Sequence, residues 1–200
     1  MWDAEQAGRW LNWWHQGYWQ RADQSWGDNG FYALPQEQQQ ALAWQHPLAV
    51  AASFDIAPSL PPEPDPRLLK LVDLDNEAWP MLLALLAGIC APQSNPPELT
   101  PANRIWCRRL AKALRCENWL PAACFQPYTT GGLILLRTLH PESWPRLRLL
   151  FPREWILQAD NHPPLNLPAP RLASLWDAAL WQSQQSERVS HVDHQENSAV

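Results

Sequence analysis

Glycine and lysine are scarce in this chain. Seven of its 200 residues are glycine, and Lys70 and Lys112 are the only lysines. Strand-rich folds use glycine in tight turns, so this scarcity argues against a hairpin-built protein. The lack of lysine, with a net charge of −5, argues against a concentrated basic patch and so against a nucleic-acid partner. Several motifs are missing. The chain has no P-loop, no G-x-G-x-x-G, no G-x-S-x-G and no H-E-x-x-H. No C-x-x-C pair exists among Cys90, Cys107, Cys116 and Cys124, so a zinc ribbon or a thioredoxin-like centre is unsupported. Such thiols read as small buried hydrophobes of a reducing compartment. The longest apolar run, Met81 to Ala91, falls short of the ~18 residues of a membrane span. Met1, Trp2, Asp3 and Glu5 open without the basic and apolar regions of a signal peptide. A cytoplasmic location is the expectation.

Proline and tryptophan are abundant, at 21 and 14. Proline fits the first turn of a helix and breaks helices elsewhere. Many prolines with few glycines therefore predict short helices with stiff ends. The expected fold class is mainly α: a compact single helical domain with Pro-rich connectors and a disordered C-terminal tail. Charge is uneven. Residues 1–98 carry twelve acidic and four basic side chains, and residues 99–200 carry eight and eleven. This pattern fits either an accident of surface composition or an adaptor with one acidic and one basic face.

Hydrophobic spacing divides the chain. Residues 1–56 form a Trp-rich N-terminal helical segment, with Ala7, Trp10, Leu11, Trp14 and Tyr18 on one predicted face and Trp13 off it. A second helix is predicted from Pro35 to Trp44, ended by His46-Pro47. Residues 57–66 read APSLPPEPDP and are predicted to be an extended connector. Residues 67–182 are predicted to be the helical core domain. It holds the apolar helix MLLALLAGIC, entered through Asp75 or Asn76 with Pro80 in its first turn. A second core helix is capped by Thr100 and Pro101, with Ile105, Trp106, Leu110 and Leu114 inward. LILLRTL and RLRLLF are each open to a helix or a strand reading, and helix is favoured for want of a partner strand. A last helix begins near Pro170, and residues 183–200 are polar and read as a disordered tail.

Chemistry-bearing residues point to no catalytic centre and no cofactor. His191, Asp193 and His194 stand close together in the predicted tail, where a metal site would carry a large ordering cost. Asp73, Asp75 and Glu77 read as acids at a helix N-terminus. Gly131-Gly132 lacks the Lys-Ser/Thr partner of a phosphate loop. Arg104, Arg108 and Arg109, with Lys112 and Arg115, form a basic series that is either a solvated face or a site for an anion or an acidic partner. Seven tryptophans before residue 45 are more than a small segment easily buries, and Trp is enriched at the centres of interfaces. Trp13, Trp19 and Trp26 are therefore candidate partner contacts, as are Arg104, Arg108 and Arg109, with core packing the rival reading for the tryptophans.

The order LLKLVDLDNEAWPMLLALLAGICA, then the basic helix around Ile105 to Leu114, then GGLILLRTL and WPRLRLLFPRE, resembles the small cytosolic sorting-platform adaptor of bacterial type III secretion systems, particularly its HrpD-like branch. The similarity spans about residues 66–157 and is one of pattern and order. It implies a helical, non-enzymatic protein linking the cytoplasmic domain of an inner-membrane ring protein to the pod-forming component of the sorting platform. Contact with the membrane would then be only through partners. It carries no motif residues across to this chain. Two other readings stay open: a secretion chaperone or regulator binding an exported protein, and an enzyme whose pocket joins Arg104 or Arg108 to a histidine or carboxylate.

Overall fold

The computed structural model describes residues 3–196, with side chains described through residue 185. Among these residues the regular structure is helical, and no strand occurs. In chain order the α-helices are α1 (Ala4–Asn12), α2 (Tyr18–Gln20), α3 (Gln36–Gln45), α4 (Pro47–Ser53), α5 (Pro66–Val72) and α6 (Ala78–Cys90). There follow α7 (Pro101–Leu114), α8 (Tyr128–Leu139), α9 (Trp144–Leu147), α10 (Arg153–Asp160) and α11 (Ala169–Glu196). They gather in two compact units: residues 1–73 with 140–161, and residues 74–139 with 162–200.

The first unit is built from two distant stretches of chain. Asp3 caps α1 in a capping box with Gln6. The helix then widens into a π-turn over Trp13–Gly17 before α2. Trp10, Trp13, Trp14, Tyr18 and Trp19 are all buried. The buried stripe is thus i, i+3, i+4, i+8, i+9, and it includes Trp13 in place of Leu11, which turns outward. Gly17 makes room for this, since a Cβ there would lie 2.9 Å from Trp13 Cδ1. The segment from 140 to 161 completes the packing. Trp26 Nε1 donates to the Phe151 carbonyl at 3.0 Å, and Asp23 N to the Leu149 carbonyl at 2.7 Å. Arg148 donates to the Phe54 carbonyl at 2.7 Å, and Arg153 grips Asp28 through two bonds of 2.7 and 2.8 Å. α5 is fastened at both ends. Asp65 caps it and faces His140 Nδ1 at 3.7 Å, while Arg21 donates to the Val72 carbonyl and Arg9 pairs with Asp73.

The second unit is organised on α6, apolar on every side and in contact with α7, α8 and α11. Thr100 accepts from Asn103 N, and Pro101 opens α7, as the sequence predicts. Gly131 and Gly132 are packing residues. A Cβ at Gly131 would meet the Phe125 ring at 2.3 Å, and one at Gly132 would meet Leu83 Cδ2 at 2.5 Å. α11 starts at Ala169, buries Leu172, Leu175, Trp176, Ala179 and Leu180, and is tied to α7 by Gln182 Nε2 donating to Asn103 Oδ1 at 3.0 Å.

The predicted mainly α fold class is observed, and both ambiguous segments are helical. The predicted domain boundaries differ from the observed units. Residues 57–66 do not separate the Trp-rich segment from the rest, because residues 140–161 leave the predicted 67–182 core and cover the tryptophans. α6 begins at Ala78 after Glu77, with no side-chain cap from Asp75 or Asn76. On α7 the buried positions are Asn103 and Cys107, with Trp106, Leu110 and Leu114 half-buried and Ile105 exposed. Within the predicted tail, Ser183 is buried and bonds the Leu180 carbonyl. The side chains from 186 on, including His191, Asp193 and His194, and residues 197–200 entirely, lie outside the described set.

Candidate interaction surfaces

The candidate contacts divide by residue type. Trp13, Trp19 and Trp26 are buried at 5, 4 and 8% exposure, so they are core and not contact surface. The reason is mutual packing. Trp13 stacks on Trp10 with centroids 5.3 Å apart, and Trp19 meets Phe31 edge-on at 5.1 Å. Trp26 lies under two guanidinium groups, Arg153 at 4.7 Å and Arg148 at 5.7 Å from its ring. The arginines that cover the tryptophans come from a part of the sequence 120 or more residues away, which spacing alone cannot reveal.

Arg108 and Arg109 are exposed on α7, and Arg104 is half-buried. Arg104 and Arg108 line a cavity of about 110 Å³ with Gly88, Pro92, Asn95, Pro96, Leu99 and Cys107. No histidine or carboxylate stands in that wall. The convergence that an Arg-based catalytic pocket would need is therefore not found there.

Outward apolar side chains were not singled out by spacing. In the first unit Trp44 is 78% exposed and Leu48 62%, with Leu11 also exposed. Leu11, Asn12, His15, Gln16, Ala43, Trp44 and Pro47 line an open groove of about 320 Å³ between α1 and the α3–α4 corner. In the second unit Ile105 on α7 and Trp181 on α11 are exposed. The available sequence signal was a large apolar residue off the buried position of its helix, as Trp44 is, about 100° around α3 from buried Ala43.

Beside the groove lies Arg146, the first arginine of RLRLLF. It is buried at 5% exposure. Its guanidinium stands 3.7 Å above the Trp14 ring and 5.5 Å from the Tyr18 ring. Nε donates to the Trp14 carbonyl at 3.0 Å and one terminal nitrogen to Ser59 Oγ at 3.2 Å. Both acceptors are neutral. Burial lowers the Arg146 pKa from its ordinary value and pushes that of Tyr18 up to about 12. A guanidinium retains its charge in such surroundings.

All four cysteines are buried and free, with Cys107 pushed up to about 12 by burial and Cys90 raised by the same cause. Burial lowers His140 to about 4, against the pull of Asp65. Among the described residues no group of three or more His, Cys, Asp or Glu could hold a metal ion. No described helix is long and apolar enough to cross a membrane. No family model matches the chain, and no curated protein or solved structure is significantly similar to it.

Proposed function

We propose that this chain is a non-enzymatic adaptor of a bacterial type III secretion apparatus, working in the cytoplasm between the inner-membrane ring and the pod-forming component of the sorting platform. The observation that carries the adaptor part is that each compact unit bears its own outward apolar side chains: Leu11, Trp44 and Leu48 on one, Ile105 and Trp181 on the other. Exposed apolar side chains that share a groove, as Leu11 and Trp44 do, mark protein contacts. A linker of two proteins needs two such places. The secretion part rests on the resemblance in segment order over residues 66–157.

The test is an affinity pull-down of the full-length tagged protein from its own cells with secretion genes induced, read by mass spectrometry. Recovery of both the pod component and the ring protein supports the adaptor. Recovery of a single exported protein would replace it with a secretion chaperone. Recovery of neither, from intact complexes, would end the secretion reading.

A further inference from the structure

Arg146 is a buried cation facing no anion. The guanidinium has five N–H donors, and the protein uses two of them, on the Trp14 carbonyl and Ser59 Oγ. No carboxylate pairs with it. A charge taken out of water without a partner is costly, and stacking on Trp14 offsets only part of that cost. Such a residue is either a strained structural clamp or half of a recognition pair.

The surroundings favour recognition. Arg146 lines a pocket of about 70 Å³ with Trp14, His15, Tyr18, Pro47, Leu48, Ala51, Pro58 and Ser59. One water needs roughly 10–15 Å³ on this measure, so the pocket has space for a carboxymethyl group. His15 and Pro47 belong to this wall and also to that of the larger groove under Trp44. The two spaces are therefore neighbours that share walls. Neither wall contains an aspartate or glutamate, so nothing in them answers the guanidinium charge. Arg146 brings uncommitted N–H donors to a lining of apolar and neutral side chains, a combination suited to a carboxylate.

We propose that this pocket and groove dock a partner protein segment through an Asp or Glu side chain on Arg146 and an adjacent large apolar side chain under Trp44. This deepens the adaptor reading and rests on it only in taking the occupant to be a protein segment. The identity of the secretion partners does not enter.

The probe is a phage-displayed peptide library selected on the full-length protein, with the enriched peptide then synthesised and titrated calorimetrically. The expected consensus is an acidic residue within about one helical turn of Leu, Phe or Trp. Changing that acid to its amide should weaken binding by about tenfold or more, the usual scale for a charge-assisted bond to a buried group. Trp44→Ala, an exposed change that leaves folding intact, should weaken it comparably. Arg109→Ala, in the other unit, should not. The Arg146 Nε–H resonance should move on peptide addition. No enriched peptide, an amide peptide that binds as well, or an unmoved Arg146 resonance would overturn the proposal. Displacement by acetate alone, regardless of the apolar residue, would make this a free-anion pocket and overturn it too. Acid-dependent peptides alongside a pull-down without secretion proteins would retire the secretion reading and leave the pocket standing.

Discussion

Trp13→Ala separates the core and contact readings of the N-terminal segment most directly. Trp13 is 5% exposed, stacked on Trp10 and edge-on to Trp14 at 6.2 Å. A buried Trp removes up to about 250 Å² from water, which at ~25 cal/mol per Å² is an upper bound near 6 kcal/mol. Large-to-small core changes at Trp cost about 3–5 kcal/mol once partial collapse is allowed. A loss of about 4 kcal/mol is expected, a large part of the 5–15 kcal/mol that holds an ordinary domain together. Urea unfolding followed by far-UV circular dichroism reads the loss. Amide exchange should place it in α1 and the π-turn that follows it. Trp44→Ala is the control, expected within about 0.5 kcal/mol of the parent because Trp44 is mostly in solvent. A Trp13→Ala protein as stable as the Trp44→Ala protein would refute the burial of Trp13 against Trp10 and Trp14.

Further outcomes follow from the same geometry. Gly131→Ala should destabilise by about 1–3 kcal/mol, since its Cβ would strike the Phe125 ring, whereas Gly8→Ala on the open face of α1 should stabilise by roughly 0.5–1 kcal/mol; paired thermal melts read both signs. His140 is held neutral, with a folded pKa of about 4 against 6.5 for a free imidazole. The unfolded chain therefore binds the extra proton first. Stability should be whole above pH 6.5 and fall by up to about 3 kcal/mol as pH drops to 4, a slope that His140→Gln should flatten when the two are compared by urea titration. Asp65 attracts that proton and Arg67 opposes it. The four buried thiols should resist an aromatic disulfide reagent in the native state and react in step with unfolding; rapid native labelling at Cys107 would contradict its burial.

Sequence alone determined the helical class and several helix ends. Thr100 and Pro101 open α7 because a cap and an N1 proline act within one turn. Pro47 follows His46 at the junction of α3 and α4 because proline cannot continue the hydrogen-bond ladder. MLLALLAGIC announced a central helix because no face of it could be left in water. These are local effects, and local chemistry is written in neighbouring residues. The tertiary structure decided what the tryptophans do. Spacing left core packing and partner contact both open for Trp13, Trp19 and Trp26, and the cover for Trp14 and Trp26 comes from Arg146, Arg148 and Arg153 of the same chain. It also decided which residues are left over: Trp44 in solvent, Leu11 turned out by one position on α1, and Arg146 buried beside them without an anion. Spacing predicts which side chains share a face, but not which distant segment covers it, because that choice is made by shape and charge matching between pieces more than a hundred residues apart.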